Sequence, residues 1–342
     1  MRPRLPADAL RESRSEEKNV AQHCNVRLAS NHAEWNALFS RVEEPHMVQS
    51  WAYGEAKQAA VHWRNRRVAV DLGGWRARRL VFERCGEPVA ICQLLDKAVA
   101  GIRWASRLNR GPLFLGPDPE DAAVRDVHRA LRNRWRHLRG VLVLAPALTA
   151  DPRHFQLLSG LGFRDRHLPG WRSARVDLRL DEEQLRKNLT TKWRNRLKSA
   201  ERAGLTLREG HAPEDVEWII DRHVENMKAK DFVGPQPIFL RALYQAAPDN
   251  LLVFQARLGD EAVGGMMVYR FGHGAEYYIG WTGAEGRGVN AGNFLYWRIA
   301  LDLKRRGRQW VDLGGTRLAT LGQMKRGMRG AEYELLNEWL AF

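Results

Sequence analysis

At 342 residues, 44% hydrophobic and 28% charged, the chain has the length for two ordinary domains, and its composition excludes a disordered protein or a small disulfide-stapled module. Lysine and arginine outnumber aspartate and glutamate by 55 to 40, a net +15 that suits a polyanionic partner, although a GC-rich genome also produces arginine-rich proteins. Three cysteines, Cys24, Cys85 and Cys92, lack metal-ligand or framework spacing and fit a reducing cytoplasm, and apolar runs such as 141–148 are too short to span a bilayer.

Residues 1–24 are polar, charged and aperiodic and are expected to form a disordered tail. A short helix is expected over 31–39, and the aromatic and small residues of 49–57 open another. Two strands, 80–84 and 89–95, flank a turn at Gly86-Glu87-Pro88; 110–114 continues the sheet, a basic helix covers 121–138, and 141–144 reads as a buried strand. Asp151-Pro152 starts a helix that ends at Gly160. The pattern restarts around 171–176. One helix over 182–203 then places Leu185, Leu189, Trp193, Leu197 and Ala200 on an apolar face, and Lys187, Arg194, Lys198 and Arg202 on a basic one that is either solvated or phosphate-contacting. Helices 213–229 and 237–246 lead into strands 251–256 and 262–269.

The stretch 275–315 reads as a strand (276–281), a glycine-rich loop (283–290), a helix (291–306) and a strand (310–313) broken at Gly314-Gly315. Asn290 suits the helix N-cap and Gly307 its C-cap. The free amides of such a helix N-terminus favour an anionic or carbonyl-bearing ligand. Taken alone, the loop is first of all an ordinary crossover. The layout of 81–90 returns at 253–264, a hairpin with a Gly-centred turn in each, and predicts one fold used twice: an α/β (α+β) architecture of mixed sheets flanked by helices, with a cleft between the copies. The division expected is 25–172 and 173–342. None of the eleven histidines forms a spaced metal pair, no Ser-His-Asp arrangement is visible, and neither a metal nor a tightly bound cofactor is expected.

Several segments, in order, resemble the Fem family of aminoacyltransferases: Gln49-Ser50-Trp51 through Gly54 and Lys57; Arg110-Gly111-Pro112; Lys192-Trp193-Arg194-Asn195-Arg196-Leu197; the Tyr277-Tyr278 strand; Asp312-Leu313-Gly314-Gly315-Thr316; and Met324-Lys325-Arg326-Gly327-Met328. The resemblance implies two tandem acetyltransferase-like (GNAT) domains. It also implies transfer of an amino acid from aminoacyl-tRNA to an amine of a cell-wall precursor, and the short 182–203 segment marks the compact type without a coiled-coil arm.

By the same resemblance Lys325 is the catalytic residue, its ammonium stabilising the oxyanion at the donor ester. Lys57 contacts the phosphates of a nucleotide-linked acceptor, and Trp51, Tyr53 and Arg110 line the acceptor groove. Tyr278, Arg194 and Met324 fall on the donor side, Met324 replacing the aromatic residue usual before the lysine. Arg287 and Asn290 stand in the loop where CoA-binding GNAT proteins carry Arg/Gln-x-x-Gly-x-Gly/Ala, and Asn290 replaces a glycine there, which favours a donor other than CoA. No side-chain general base stands out. The leading expectation is therefore a cytoplasmic enzyme at the inner face of the membrane, using aminoacyl-tRNA as co-substrate and a nucleotide- or lipid-linked envelope precursor or small amine as acceptor. An acyl-CoA-dependent N-acyltransferase of polysaccharide or envelope assembly is the alternative, and a non-catalytic RNA-binding protein is the reading of another class.

Overall fold

A computed structural model of the chain describes residues 24–62, 74–99, 102–136, 140–315 and 319–342. The expected tail up to residue 23 and Thr316 of the glycine motif lie outside them.

Two sheets carry the fold, with strands numbered in chain order. The first runs β1 (Asn25–Leu28), β2 (Trp75–Arg84), β3 (Glu87–Val99), β4 (Ile102–Asn109), β6 (Val141–Ala145), β15 (Trp339–Ala341), β7 (Arg164–Asp165), with β5 (Leu113–Phe114) against β3. The second runs β14 (Ala331–Glu334), β8 (Arg172–Asp177), β13 (Trp310–Asp312), β12 (Gly274–Thr282), β11 (Glu261–Phe271), β10 (Leu251–Leu258), β9 (Thr206–Gly210). The expected repeat lies in this topology. In each sheet a hairpin is followed by an antiparallel strand and then a parallel one: β2-β3-β4-β6 in the first, β10-β11-β12-β13 in the second. Strand β15 returns to the first sheet from the far end of the sequence.

The helices are α1 (His32–Phe39), α2 (Trp51–His62), α3 (Asp121–Arg136), α4 (Pro152–Gly160), α5 (Glu182–Asn188), α6 (Thr191–Arg202), α7 (Pro213–Ala229), α8 (Pro237–Ala246), α9 (Ala284–Gly288), α10 (Ala291–Arg305) and α11 (Ala319–Arg326). Local chemistry sets many of their ends. The Asn31 side chain accepts from the Glu34 amide, Asp151 from the Arg153 amide beside a first-turn proline, and Asp181 with Gln184 closes a capping box.

Alternation sorts the apolar residues into layers. Leu80, Phe82, Cys92 and Leu94 of β2 and β3 face a core under α3, while Val81 and Ile91 face the other way. That second face belongs to a core shared by both halves, in which Trp35, Phe39 and Tyr53 meet Ile219, Phe239, Val253 and Tyr269. Leu252, Phe254, Phe294 and Leu303 fill the remaining core with the apolar face of α5 and α6.

Several expected elements differ. The helix over 182–203 is two helices, broken at Leu189 and Thr190, because the Thr190 amide donates to the Gly327 carbonyl instead of continuing the turn. Its five apolar residues are nevertheless all buried. Only Leu113–Phe114 of the 110–114 segment is strand, since Arg110 has a left-handed backbone (φ 49°) and turns the chain away. The glycine-rich loop winds into α9, and Asn290, at φ 56°, caps α10 through its backbone turn with no side-chain hydrogen bond.

Candidate active site

The parallel strands β12 and β13 pair at Gly274–Trp310, Ala275–Val311 and Glu276–Asp312 and then diverge. Arg175 of β8 stands beside Asp312, so Glu276, Asp312 and Arg175 occupy one rung of the second sheet. All three are buried. Charged side chains are almost never buried without partners, and two of the three have hydrogen-bonded ones. Asp312 accepts from Ser173 Oγ, from Tyr333 Oη at 2.6 Å and from the Gly314 amide at 2.8 Å, and Arg175 pairs with Glu44 of the first half. Glu276 is the exception. It takes no hydrogen bond from any described residue, and the cation of its ion pair, Arg110 Nη1, is 3.9 Å away. Burial pushes its carboxyl up to about 7, with Arg110 opposing, Asp312 adding to the rise, and Lys325 and Arg175 opposing.

Lys325 lies in the last turn of α11, 5% exposed, its Nζ donating to the Gly315 carbonyl at 3.0 Å. Burial brings its ammonium down to about 8, against the pull of Asp312 and Glu276. Gly314, at φ 70°, lies between the two groups: a Cβ there would stand 3.4 Å from Lys325 Nζ, 4.0 Å from Glu276 Oε1 and 2.9 Å from the Tyr277 carbonyl oxygen. Only glycine satisfies both that backbone and that space. Two of the sequence motifs seat the lysine jointly. Trp193 Nε1 donates to the Met324 carbonyl at 3.2 Å, and its indole lies so close to Gly327 that a Cβ there would stand 2.5 Å from Cδ1. The Met324 side chain reaches the N-terminus of α10, its Cε 3.4 Å from where a Gly292 Cβ would be.

The first half supplies the facing wall. The Arg110 guanidinium stacks 3.7 Å over the Trp171 ring, just before a cis Gly111-Pro112 bond. Arg110 and Glu276 are close enough to act on the ionisation of Tyr53 and Tyr278, and burial holds the Tyr53 hydroxyl up at about 12. Lys57 points its Nζ over the Phe239 ring at 4.3 Å and the Tyr53 ring at 5.4 Å. It makes no ion pair with any described residue, and burial first, then Arg107, lowers its pKa.

The structure thus gathers Lys325, Arg110, Tyr53, Tyr278 and Lys57 near the junction of the halves, while Met324 packs within the second half against α10. Trp51 is engaged elsewhere and carries the Arg79 guanidinium on its ring at 3.4 Å. Arg194 donates to the Lys187 carbonyl at 2.7 Å and braces the break between α5 and α6, and Arg287 donates to the Thr282 carbonyl at 2.8 Å and ties down α9. Neither touches the carboxylate rung. The residue that sequence reasoning missed is Glu276. Its signal was a lone acid in a strand otherwise built of Gly, Ala, Tyr, Ile, Trp and Thr. Among the described residues no group of three or more His, Cys, Asp or Glu side chains is placed to hold a metal ion, and no helix is long and apolar enough to cross a membrane.

Residues 186–325 match a family model described as an acetyltransferase (GNAT) domain. No curated protein matches the sequence. Among solved structures, FemX aligns with a TM-score of 0.75 at 14% identity, over 92% of this chain and 96% of FemX. A conserved protein of unknown function from Bacteroides thetaiotaomicron aligns at 0.53 and 10% identity, over 93% of this chain and 98% of that one. A tandem GNAT protein from the clavulanic acid biosynthesis pathway aligns at 0.50 and 14% identity, again over 93% and 98%.

Proposed function

We propose that this chain, a tandem GNAT fold of the FemX kind whose second half is a GNAT acyltransferase domain, transfers an amino acid from aminoacyl-tRNA to an amine. The acceptor is a peptidoglycan precursor or a small amine-bearing metabolite, met in the cytoplasm or at the inner face of the membrane. Residues 173–342 take the donor and residues 25–172 the acceptor. An asymmetry between the sheets supports this division. Strands β4 and β6 stay paired to Asn109–Ala145, and the Arg110 amide extends the ladder to the Ala145 carbonyl, whereas the pairing of β12 with β13 ends after three pairs, just before Gly314 and Lys325.

The observation that carries the choice of donor is the state of the loop before α10. A CoA pyrophosphate needs free backbone amides there. In this chain the Arg287, Val289 and Asn290 amides already donate to the carbonyls of Gly283, Glu285 and Arg287. Lys325 holds the donor carbonyl as its oxygen gains charge. Lys57, with aromatic faces beside it and no carboxylate partner among the described residues, takes an anionic group of the acceptor. The experiment incubates the protein with charged tRNA or acetyl-CoA and a nucleotide-linked cell-wall precursor bearing a primary amine. Consumption of the charged tRNA, abolished by prior RNase treatment, is expected. Consumption of acetyl-CoA insensitive to RNase overturns the donor assignment in favour of an acyl-CoA enzyme.

A further inference from the structure

An amine acceptor is an ammonium ion at neutral pH and attacks only after losing a proton. We propose that Glu276 is the catalytic base that removes it. The inference rests on the acyl-transfer reading above and adds the proton acceptor which that reading lacks.

Satisfaction comes first. Buried polar groups in folded proteins nearly always have hydrogen-bond partners. Asp312, on the same rung, has three donors, while Glu276, 6% exposed, has none among the described residues. A buried carboxylate with no hydrogen-bond donor among the described residues, and with its ion-pair partner Arg110 3.9 Å away, has acceptor capacity for a group that arrives. Position comes second. Glu276 Oε1 and Lys325 Nζ flank Gly314, 4.0 Å and 3.4 Å from where its Cβ would stand, just past the last β12–β13 pair. A carbonyl held by the lysine and an amine held by the glutamate would therefore be neighbours. Charge comes third. The groups facing Glu276 are Arg110 after β4, Asp312 on β13, Lys325 on α11 and Arg175 on β8, and their opposed influences leave burial dominant and the carboxyl at about 7. Tyr53 of α2 and Tyr278 of β12 also face it, both with hydroxyls raised by burial and therefore neutral. A base titrating near the working pH both accepts and returns a proton readily.

The step balances. The carboxylate takes one proton from the ammonium and afterwards releases it to solvent, and the neutral nitrogen bonds to the donor carbonyl carbon. The nitrogen's second proton passes to the donor ribose oxygen as the bond from that carbon to the oxygen breaks. One proton is released per amide formed.

The test compares kcat/KM against pH for wild type and Glu276→Gln with two acceptors: the amine-bearing precursor, and hydroxylamine, which is already neutral at pH 7. Rates are corrected for uncatalysed hydroxylaminolysis of the donor. With the precursor, the wild type should lose activity below about pH 7, and the Gln variant should be down by roughly 10²-fold at pH 7 and gain about tenfold per pH unit. With hydroxylamine the variant should stay within about threefold of wild type. Glu276→Asp, which keeps a carboxylate at shorter reach, should retain the acid limb at a lower rate, so the inference stays testable if the Gln variant folds poorly. An acid limb unchanged in the Gln variant overturns the assignment. So does an equal loss with both amines at every pH, the signature of a carboxylate that instead holds the donor's α-ammonium. A wild type that consumes neither charged tRNA nor acetyl-CoA defeats the acyl-transfer reading itself, independently of Glu276.

Discussion

Gly327→Ala probes how Lys325 is held without touching it. The new Cβ would stand 2.5 Å from Trp193 Cδ1, and 3.2 Å from both its Cγ and the Met324 carbonyl oxygen. Ordinary contact begins near 3.4 Å, so indole and helix end must part by about 1 Å. Trp193 is 3% exposed and packed into the core of the second half, so the end of α11 is the side that yields. Overpacking of this kind costs about 1–3 kcal/mol. A displacement of about 1 Å at a catalytic group lowers turnover by roughly 10²-fold. Steady-state kinetics of donor consumption and a thermal melt read the two effects separately. Because the ammonium acts on charge that develops during reaction, kcat should fall with little change in the donor KM. Gly160→Ala is the control, since a methyl group there meets nothing within 4 Å. A Gly327→Ala protein with a lowered Tm but wild-type kcat would refute the reasoning, because the seat would have moved without consequence.

Lys325→Ala should lower kcat by roughly 10²-fold while the melt holds, and wild-type activity should decline above about pH 8 as the ammonium deprotonates; an unaltered turnover in the variant removes Lys325 from the site. Lys57→Ala should raise the acceptor KM and spare kcat, since a phosphate contact binds ground and transition states alike; the reverse pattern would place Lys57 in the chemistry. Stability should also report on Glu276. Its folded pKa is raised from 4.5 to about 7, so the folded chain keeps a proton that the unfolded chain has released, and stability is lost as pH rises through that window. The loss is about 3 kcal/mol. Glu276→Gln should lack that slope, so a wild-type minus variant difference in Tm that is identical at pH 4.5 and pH 8 contradicts the raised carboxyl.

Helices α7 and α8 were legible to the residue, because each opens on a proline in its first turn and keeps a helical apolar period. The β12–α10–β13 unit was legible for a similar reason. Strand β4 was not: Arg103, Trp104, Arg107 and Asn109 break the apolar pattern, and the segment is strand because β3 and β6 hold it on both sides. The break at Thr190 has its cause in the carbonyl of Gly327, remote in the chain, and no local propensity records it. The site divides in the same way. Lys325, Lys57 and Arg110 were singled out through motifs that the resemblance brought forward, and the fold places them near one junction. Arg194 and Arg287 were singled out as cations, yet each guanidinium is engaged with a backbone carbonyl close by in sequence. Glu276 escaped because an acid in a strand looks like surface until the pairing of β12 with β13 shows it beside Asp312 in the interior.

The placement of β15 between β6 and β7 bears on how the chain is made. A sheet begun at Asn25 is not complete until Trp339–Ala341 has left the ribosome and found its slot. At translation speeds of roughly 5–20 residues per second, β6 and β7 therefore wait for about ten seconds or more with facing edges unfilled. During that interval the nascent protein exposes two unpaired backbone edges, the kind that invite a foreign strand or a chaperone.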